Sequence, residues 1–374
     1  MSTDVLIAGA GPAGAIAALV LARAGVRVTL VDRARFPRDK LCGDTINPGA
    51  LSILHRLGLA SLTEGGLPVR GMIVSGHGVA VRGEYEGELR GIAISRRVFD
   101  ERLVAAAAAA GAQVEEGVLV KGPILASTGA ITGTELLTPA GRSERRAAVV
   151  TIASDGRSSR LARAASLART PVRPRRWAAG AIFEGVTGLS DFGEMHVRAD
   201  RYIGIAPLPG GLTNACVVTA NRQALRDRDF MLGSISREQE IAPRFAGACR
   251  VSQTTILGPL AVETSGAGAP GVLLAGDSAG FIDPMTGDGL RFAFRGGELA
   301  AADALQVLSE GWNGAHLRLH AAREREFGAK WRFNRSLRAL ASSPVAVRAA
   351  GLFASLSPAA LRHVIRYAGD AGLA

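Results

Sequence analysis

Cysteine is scarce in this chain. Three residues (Cys42, Cys216 and Cys249) in 374 make no paired framework, which excludes a disulfide-stapled secreted scaffold and points to a reducing compartment. No apolar run approaches the roughly 18 residues that a membrane-spanning helix needs. A strand begins almost at the first residue, in MSTDVLIAGAG, with no room for a signal peptide. Cytoplasmic residence is therefore expected, with peripheral attachment to the inner face of the membrane as its variant. Nor does any recognisable nucleic-acid module accompany the formal net charge of +11, whose basic residues are almost all Arg and scattered along the chain. No nucleic-acid partner and no metal site are expected. A diffuse basic surface suits anionic cofactors, a membrane surface or an acyl-carrier protein instead. Internal repeats and low-complexity linkers are also missing, apart from the Ala run in LVAAAAAAGA, which reads as helix. What remains is a globular chain, 48% hydrophobic and long enough for roughly two domains.

The most informative segment is DVLIAGAGPAGAIAALVLARAGVRVTLVDR. A short apolar strand (5–8) runs into Gly9-Ala10-Gly11-Pro12-Ala13-Gly14, and an Ala/Leu-rich helix follows to about Ala24. A second strand (26–31) ends at Asp32, with Arg33 beside it. Strand before, helix after and acid at this distance make the glycine motif a dinucleotide-binding unit. Gly9 permits the tight turn, Gly11 lets a pyrophosphate approach the backbone, and Gly14 lets helix and strand pack closely. The helix N-terminus offers its unpaired N–H groups to the phosphates. Asp32 stands where a carboxylate accepts hydrogen bonds from a ribose hydroxyl. A second GxGxxG, from Gly266 to Gly271, is followed by a strand (272–275) and no helix. It is expected to be a surface loop, so no independent nicotinamide domain is expected.

Two later stretches extend the site. In VLLAGDSAG an apolar strand delivers Asp277 to its C-terminal end, where ligands of open α/β sheets collect. The continuation FIDPMTGDGLRFAF holds Pro284, Gly287 and Gly289 in a loop that opens a helix at about Leu290. Asp155-Gly156 in SDGRSS is a second acid-glycine pair after an apolar strand (148–153). With these three separated motifs the chain resembles, up to about residue 310, the FAD-dependent oxidoreductases related to para-hydroxybenzoate hydroxylase and geranylgeranyl reductase.

The resemblance implies an α/β fold with a Rossmann-like FAD-binding domain of glutathione-reductase type, formed by residues 1–67, 92–170 and 259–310. An antiparallel-sheet substrate domain (68–91 and 171–258) and C-terminal helices (311–374) complete it. The cofactor is then FAD, with NAD(P)H as a transient electron donor. Asp277 is expected at the ribityl chain. Gly287, Asp288, Gly289 and Leu290 are expected to turn backbone N–H groups toward the N1/O2 edge of the isoalloxazine, where a helix N-terminus stabilises the reduced ring. Arg96, three residues before Phe99-Asp100, is expected near the pyrophosphate, and Val120 at the adenine. Asp155 matches the acid-glycine motif, although the arginine usual seven residues later is Ala162 here, with Arg163 one place on.

Runs such as RGMIVSG, WAAGAIFEGV and LTNACVVTA alternate in strand-length pieces. In the family such strands roof the flavin and carry a pocket for a hydrophobic small molecule. The tail from His316 reads as two amphipathic, basic helical pieces. These either face lipid or pack on the core with solvated Arg faces, and packing is the preferred reading.

The stretch KLCGDTINPG lies between the first unit and the next helix. Geranylgeranyl reductases carry a similar Pro-Arg-Asp-Lys before Cys-Gly, matched here by Pro37 to Asp44. Cys42 is therefore a candidate proton donor to a carbon left carbanionic by hydride addition. The alternative is a small loop residue, with Asp44 or Asn47 capping the next helix. Tyr202 is the other candidate catalytic residue. In YIGIAPLPGG, Tyr202 and Pro207 keep the reductase signature, but Gly204, Ala206 and Leu208 replace its Trp, Phe and Lys. Two chemistries follow. One is monooxygenation of an aromatic, polyketide-like or lipid-like metabolite; the other is saturation of C=C bonds in a prenyl or polyene chain. The broken signature places oxygenation slightly ahead.

Overall fold

Strands that are apolar on both faces must be covered on both faces, and the first strand, Thr3–Ala8, is of this kind, with Val5 to Ala8 fully buried. The computed structural model describes residues 3–369 apart from 77, 86, 172–174, 228 and 342. Thr3–Ala8 sits at the centre of a parallel sheet, between Ser143–Ala153 and Val28–Asp32. Val272–Leu274 and Gln113–Glu116 extend it on either side. The second strand starts later than the sequence suggests, because Gly25 takes a positive φ and the Val26 N–H still bonds back to Leu21 O of the preceding helix. That helix, Pro12–Arg23, lies against the helix Gly289–Glu310, where a Cβ on Gly297 would meet Ala13 O at 2.4 Å.

The second GxGxxG is not a surface loop. Gly268–Ala269 pairs antiparallel with Val272–Leu274, and a Cβ on Gly271 would lie 1.8 Å from Ile131 O. The glycines make a tight edge hairpin, and no helix follows.

The second sheet runs Cys249–Arg250, Trp177–Glu184, Leu212–Thr219, Arg201–Leu208, Phe192–Val197, Gly71–Gly76, Val79–Glu84, with Thr255–Leu257 beside Trp177–Glu184. Residues 71–84 and 177–257 thus share one sheet. It is not purely antiparallel, since Phe192–Val197 and Gly71–Gly76 run parallel. These strands are separated in the chain by the excursion through the first sheet, and only such a long connection allows a parallel pair. Thr45–Ile46, Gly91–Ala93 and Leu67–Val69 form a small sheet where the chain passes between the two large ones.

The tail makes three helices, Ala315–Ala341, Pro344–Leu356 and Pro358–Ala368, where two pieces were expected. Pro358 at a first-turn position ends one helix and starts the next. The long helix is packed. Phe327 meets Phe292 edge-on at 5.0 Å, and Glu326 accepts from Arg291 and Arg295. The last two helices cover Gly71–Glu84, where a Cβ on Gly83 would meet the Ile365 side chain at 2.6 Å. Residues 370–374 of the expected tail lie outside the described residues.

Candidate active site

The glycines of the first motif do different work. Gly9 has φ +97°, and a Cβ there would meet Ser154 O at 2.5 Å; a Cβ on Gly14 would sit 1.9 Å from Gly9 O. Both are required by the protein's own packing. At Gly11 the only atom within 4 Å of an added Cβ is Arg38 Nη2, at 3.8 Å, so the space beside Gly11 is open for a ligand. Gly11 is also the N-cap of Pro12–Arg23 and gives no side-chain cap, which leaves the first-turn N–H groups of Ala13 and Gly14 to bind an anion.

Asp32 is fixed by two backbone donors, Ala10 N at 2.7 Å and Ala34 N at 2.8 Å. It lines one cavity with Arg33, Val120 and Asp155. Asp155 accepts from Arg160 N at 3.2 Å through Oδ2, while its buried Oδ1 has no partner. Burial pushes the pKa of Asp155 up, and the charge of nearby Asp32 adds to the shift. A ligand hydroxyl at this place would satisfy Asp155 Oδ1.

Cations line the next part of the cavity. Burial pushes the pKa of Lys40 down against the pull of Asp277, and Arg157, Arg96 and Arg38 push it further. Arg157 is likewise lowered by burial, with Asp277 opposing. Arg38 pairs with Asp100 at 3.1 Å. Arg96, expected near a pyrophosphate, holds the same carboxylate in two bonds of 2.6 and 2.8 Å and lies near Cys42. Burial opposes its charge, yet the Asp100 carboxylate raises its pKa. The guanidinium beside Gly11 is therefore that of Arg38, while Arg96 faces the cysteine loop.

That loop is clamped. Asn214 donates to Cys42 O at 2.7 Å and to the Asp44 carboxylate, which also accepts from Arg96 N at 3.2 Å. Asp44 has φ +53°. Burial pushes its pKa up to about 6, opposed by the Asn214 hydrogen bond. Of the two capping candidates, Asn47 is the cap: its Oδ1 accepts from Ala50 N at 2.8 Å. The half-buried Cys42 side chain lines the cavity. The half-buried Cys216 lines the same cavity and is a different thiol, its pKa pushed up to about 12 by burial.

At the other wall, Gly287 (φ +69°) leads into Asp288, the N-cap of Gly289–Glu310. The Asp288 carboxylate turns away from its own helix toward Asn47 (3.4 Å), Asn334 (3.0 Å) and Lys330 (3.2 Å). It makes no side-chain cap, so the N–H groups of Gly289 and Leu290 are left for a ligand. Thr286 Oγ1, buried without a partner, lines the same place. Tyr202 lies further on. Its hydroxyl donates to Asp283 at 2.7 Å, Arg176 holds the other oxygen at 2.9 Å, and burial raises the phenol pKa well above its ordinary value. Tyr202 thus shapes the wall, and its proton is held by Asp283.

One continuous cavity of about 890 Å³ joins these places. It passes from Gly11 past Asp277 and Cys42 into a chamber walled by Val74, Val197, Tyr202, Met285 and Val347. Residues 2–330 match the family described as FAD binding domain. The chain belongs to this family. It is 31% identical over 319 residues to the menaquinone reductase of Mycolicibacterium smegmatis, covering 80% of this chain and 75% of the relative. With the digeranylgeranylglycerophospholipid reductase of Methanoculleus marisnigri it shares 29% over 320 residues, 82% and 78% of the two chains. Among solved structures, a geranylgeranyl bacteriochlorophyll reductase-like protein from Thermoplasma acidophilum superposes with TM-score 0.79 at 22% identity, over 92% of this chain and 89% of the other. A flavin-dependent brominase does so with TM-score 0.85 at 20% identity, over 99% and 94%. At such identities the likeness shows the fold.

This is an FAD-dependent oxidoreductase. Its residues fit the dinucleotide: the unpartnered Asp155 Oδ1 and Thr286 Oγ1 stand at opposite ends of the cradle, with the open Gly11 and the cations between. FAD would be held by Asp32 and Asp155 at its adenosine end and by Arg38, Lys40 and the first helix at its phosphates. Asp277 and the turn at 287–290 would hold the flavin end. Sequence reasoning assigned no role to Arg38, Lys40, Arg157, Asn214 or Lys330. Of these, only the basic run before Cys42 carried a local signal.

Proposed function

We propose that this flavoprotein saturates C=C bonds of an isoprenoid chain attached to a lipid or quinone head group. The observation that carries the proposal is the place of Cys42, clamped by Asn214 where the dinucleotide cradle opens into the apolar chamber. FAD held by Gly11, Arg38, Lys40 and the turn at 287–290 would supply, once reduced, the hydride for one alkene carbon. Cys42 holds the proton for the other carbon, so one hydride and one proton add across the double bond. The thiolate left on Cys42 would have the Arg96 guanidinium as its nearby positive charge. The chamber walls hold a chain of methyl-branched units by apolar contact and keep water from the reacting carbons. The names of the two curated relatives share this substrate class, since both quinone and archaeal lipid carry isoprenoid chains. Reducing equivalents come from a nicotinamide nucleotide that binds transiently; only one strand–turn–helix fingerprint exists among the described residues.

Oxygenation is the second reading, and the altered signature favours it. Gly204 replaces a Trp, and a Cβ there would meet only Cys216 Sγ, at 3.0 Å. The wall opposite the cysteine loop is therefore cut back, which suits a wider substrate under either chemistry. Anaerobic mixing of the photoreduced enzyme with menaquinone or a geranylgeranyl lipid separates the two. Reoxidation of the flavin with formation of a saturated product supports reduction. A flavin that stays reduced until oxygen is admitted overturns it.

A further inference from the structure

We propose that the helix Pro344–Leu356 docks on the surface of an anionic lipid bilayer, so that the apolar chamber opens toward the acyl layer. Two faces of this helix lead there. Val347 and Ala350 turn inward and line the chamber, with Val347 packed into the cluster around Tyr202 and Met285. Val345, Leu352 and Leu356 follow helical spacing on the other side and are 75%, 64% and 77% exposed. Phe353 joins the faces, for it lines the chamber and is also 60% exposed. The exposed apolar face is therefore continuous with the inner wall of the cavity, at its mouth.

Charge selects the occupant. Between Glu326 and Asp370 the sequence has no acidic residue, but one Lys and six Arg. Arg348 and Arg362 on the last two helices are exposed, as are Arg332 and Arg335 on the long helix before them. Exposed apolar side chains with exposed arginines on the same helix and its neighbours match the boundary of an anionic leaflet, where acyl chains lie beneath phosphates. No described helix is long and apolar enough to cross a membrane, so the contact is with the surface. The proposal deepens the reading above, since an isoprenoid chain dissolved in a bilayer reaches Cys42 through such a mouth without crossing water.

Flotation of the FAD-loaded full chain with vesicles tests this without any turnover, so its failure is distinct from failure of the proposed reaction. With phosphatidylcholine vesicles containing phosphatidylglycerol the protein should float, less so as salt rises, and it should float poorly with phosphatidylcholine alone. The pair Leu352→Glu and Leu356→Glu should lower partition by about tenfold or more. The exposed pair Arg348→Ala and Arg362→Ala, which leaves the fold and the flavin content intact, should lower it by about fivefold per arginine at low salt. Absence of flotation overturns the proposal. So does binding that only the arginine pair weakens, which would be diffuse electrostatics. Self-association abolished by Leu352→Glu, or binding of an acidic carrier protein in place of vesicles, would assign the face to another occupant.

Discussion

Asp44 is a buried carboxylate whose charge is opposed by its surroundings, and its titration should be visible in stability. Burial raises its folded pKa to about 6, against about 3.9 in an unfolded chain. The native state thus holds this proton more tightly, so the contribution is fully present below about pH 4 and is lost as pH rises through about 6. Two pKa units correspond to about 3 kcal/mol. Urea unfolding of the parent and of Asp44→Asn should show their difference shifting by about that amount in the variant's favour between about pH 4 and about pH 7. A difference independent of pH would remove the burial argument. Cys42 is tested by chemistry. Cys42→Ser should keep FAD and flavin reduction but lose about 10²–10⁴-fold in alkene reduction; turnover within about tenfold of the parent would mean a loop residue only. The packing roles of Gly9 and Gly14 were legible because each belongs to a local motif with one geometric solution. The role of Asn214 was not, since its two bonds reach across the chain to Cys42 and Asp44.

Elements fail in distinguishable ways. Gly14→Ala places a methyl 1.9 Å from Gly9 O, which the backbone must move to accept. It should destabilise the fold itself by about 1–3 kcal/mol or more. At Gly11 an added Cβ meets no backbone within 4 Å, only Arg38 Nη2 at 3.8 Å, so Gly11→Val puts its bulk into the open cradle. That variant should fold and lack flavin, as absorbance and circular dichroism would show together; a yellow Gly11→Val protein would contradict the phosphate assignment. The tail is tied to the flavin end by Lys330, which pairs with Asp288 and donates to Tyr367 O and Ala368 O at the end of the last helix. Lys330→Met leaves a buried carboxylate without its cation and should cost about 3–5 kcal/mol, with part restored by Asp288→Asn. Thermal unfolding of the single and double variants checks this, and an additive loss would show that the two groups act separately. Nothing near Lys330 in the sequence announces the contact, because its partners come from two other helices.

At the scale of the molecule, the parallel sheet was legible in its central strands, which are buried and largely apolar, but not in its edge strand Gln113–Glu116, which is polar and partly exposed. The parallel pairing of Phe192–Val197 with Gly71–Gly76 and the closing of the chamber by the last two helices were not. Both are decided by contacts between segments far apart, and an alternating strand does not state which neighbour it takes. The chamber is what changes the weight of the two chemistries. The altered residues around Tyr202 favoured oxygenation, whereas a long apolar space meeting a clamped thiol favours addition of hydrogen. Isotopic analysis of the product formed in D₂O under ¹⁸O₂ tests this most directly. The account predicts a saturated isoprenoid product carrying deuterium from the buffer at each reduced bond and no ¹⁸O. A product carrying ¹⁸O with its double bonds otherwise intact would contradict it.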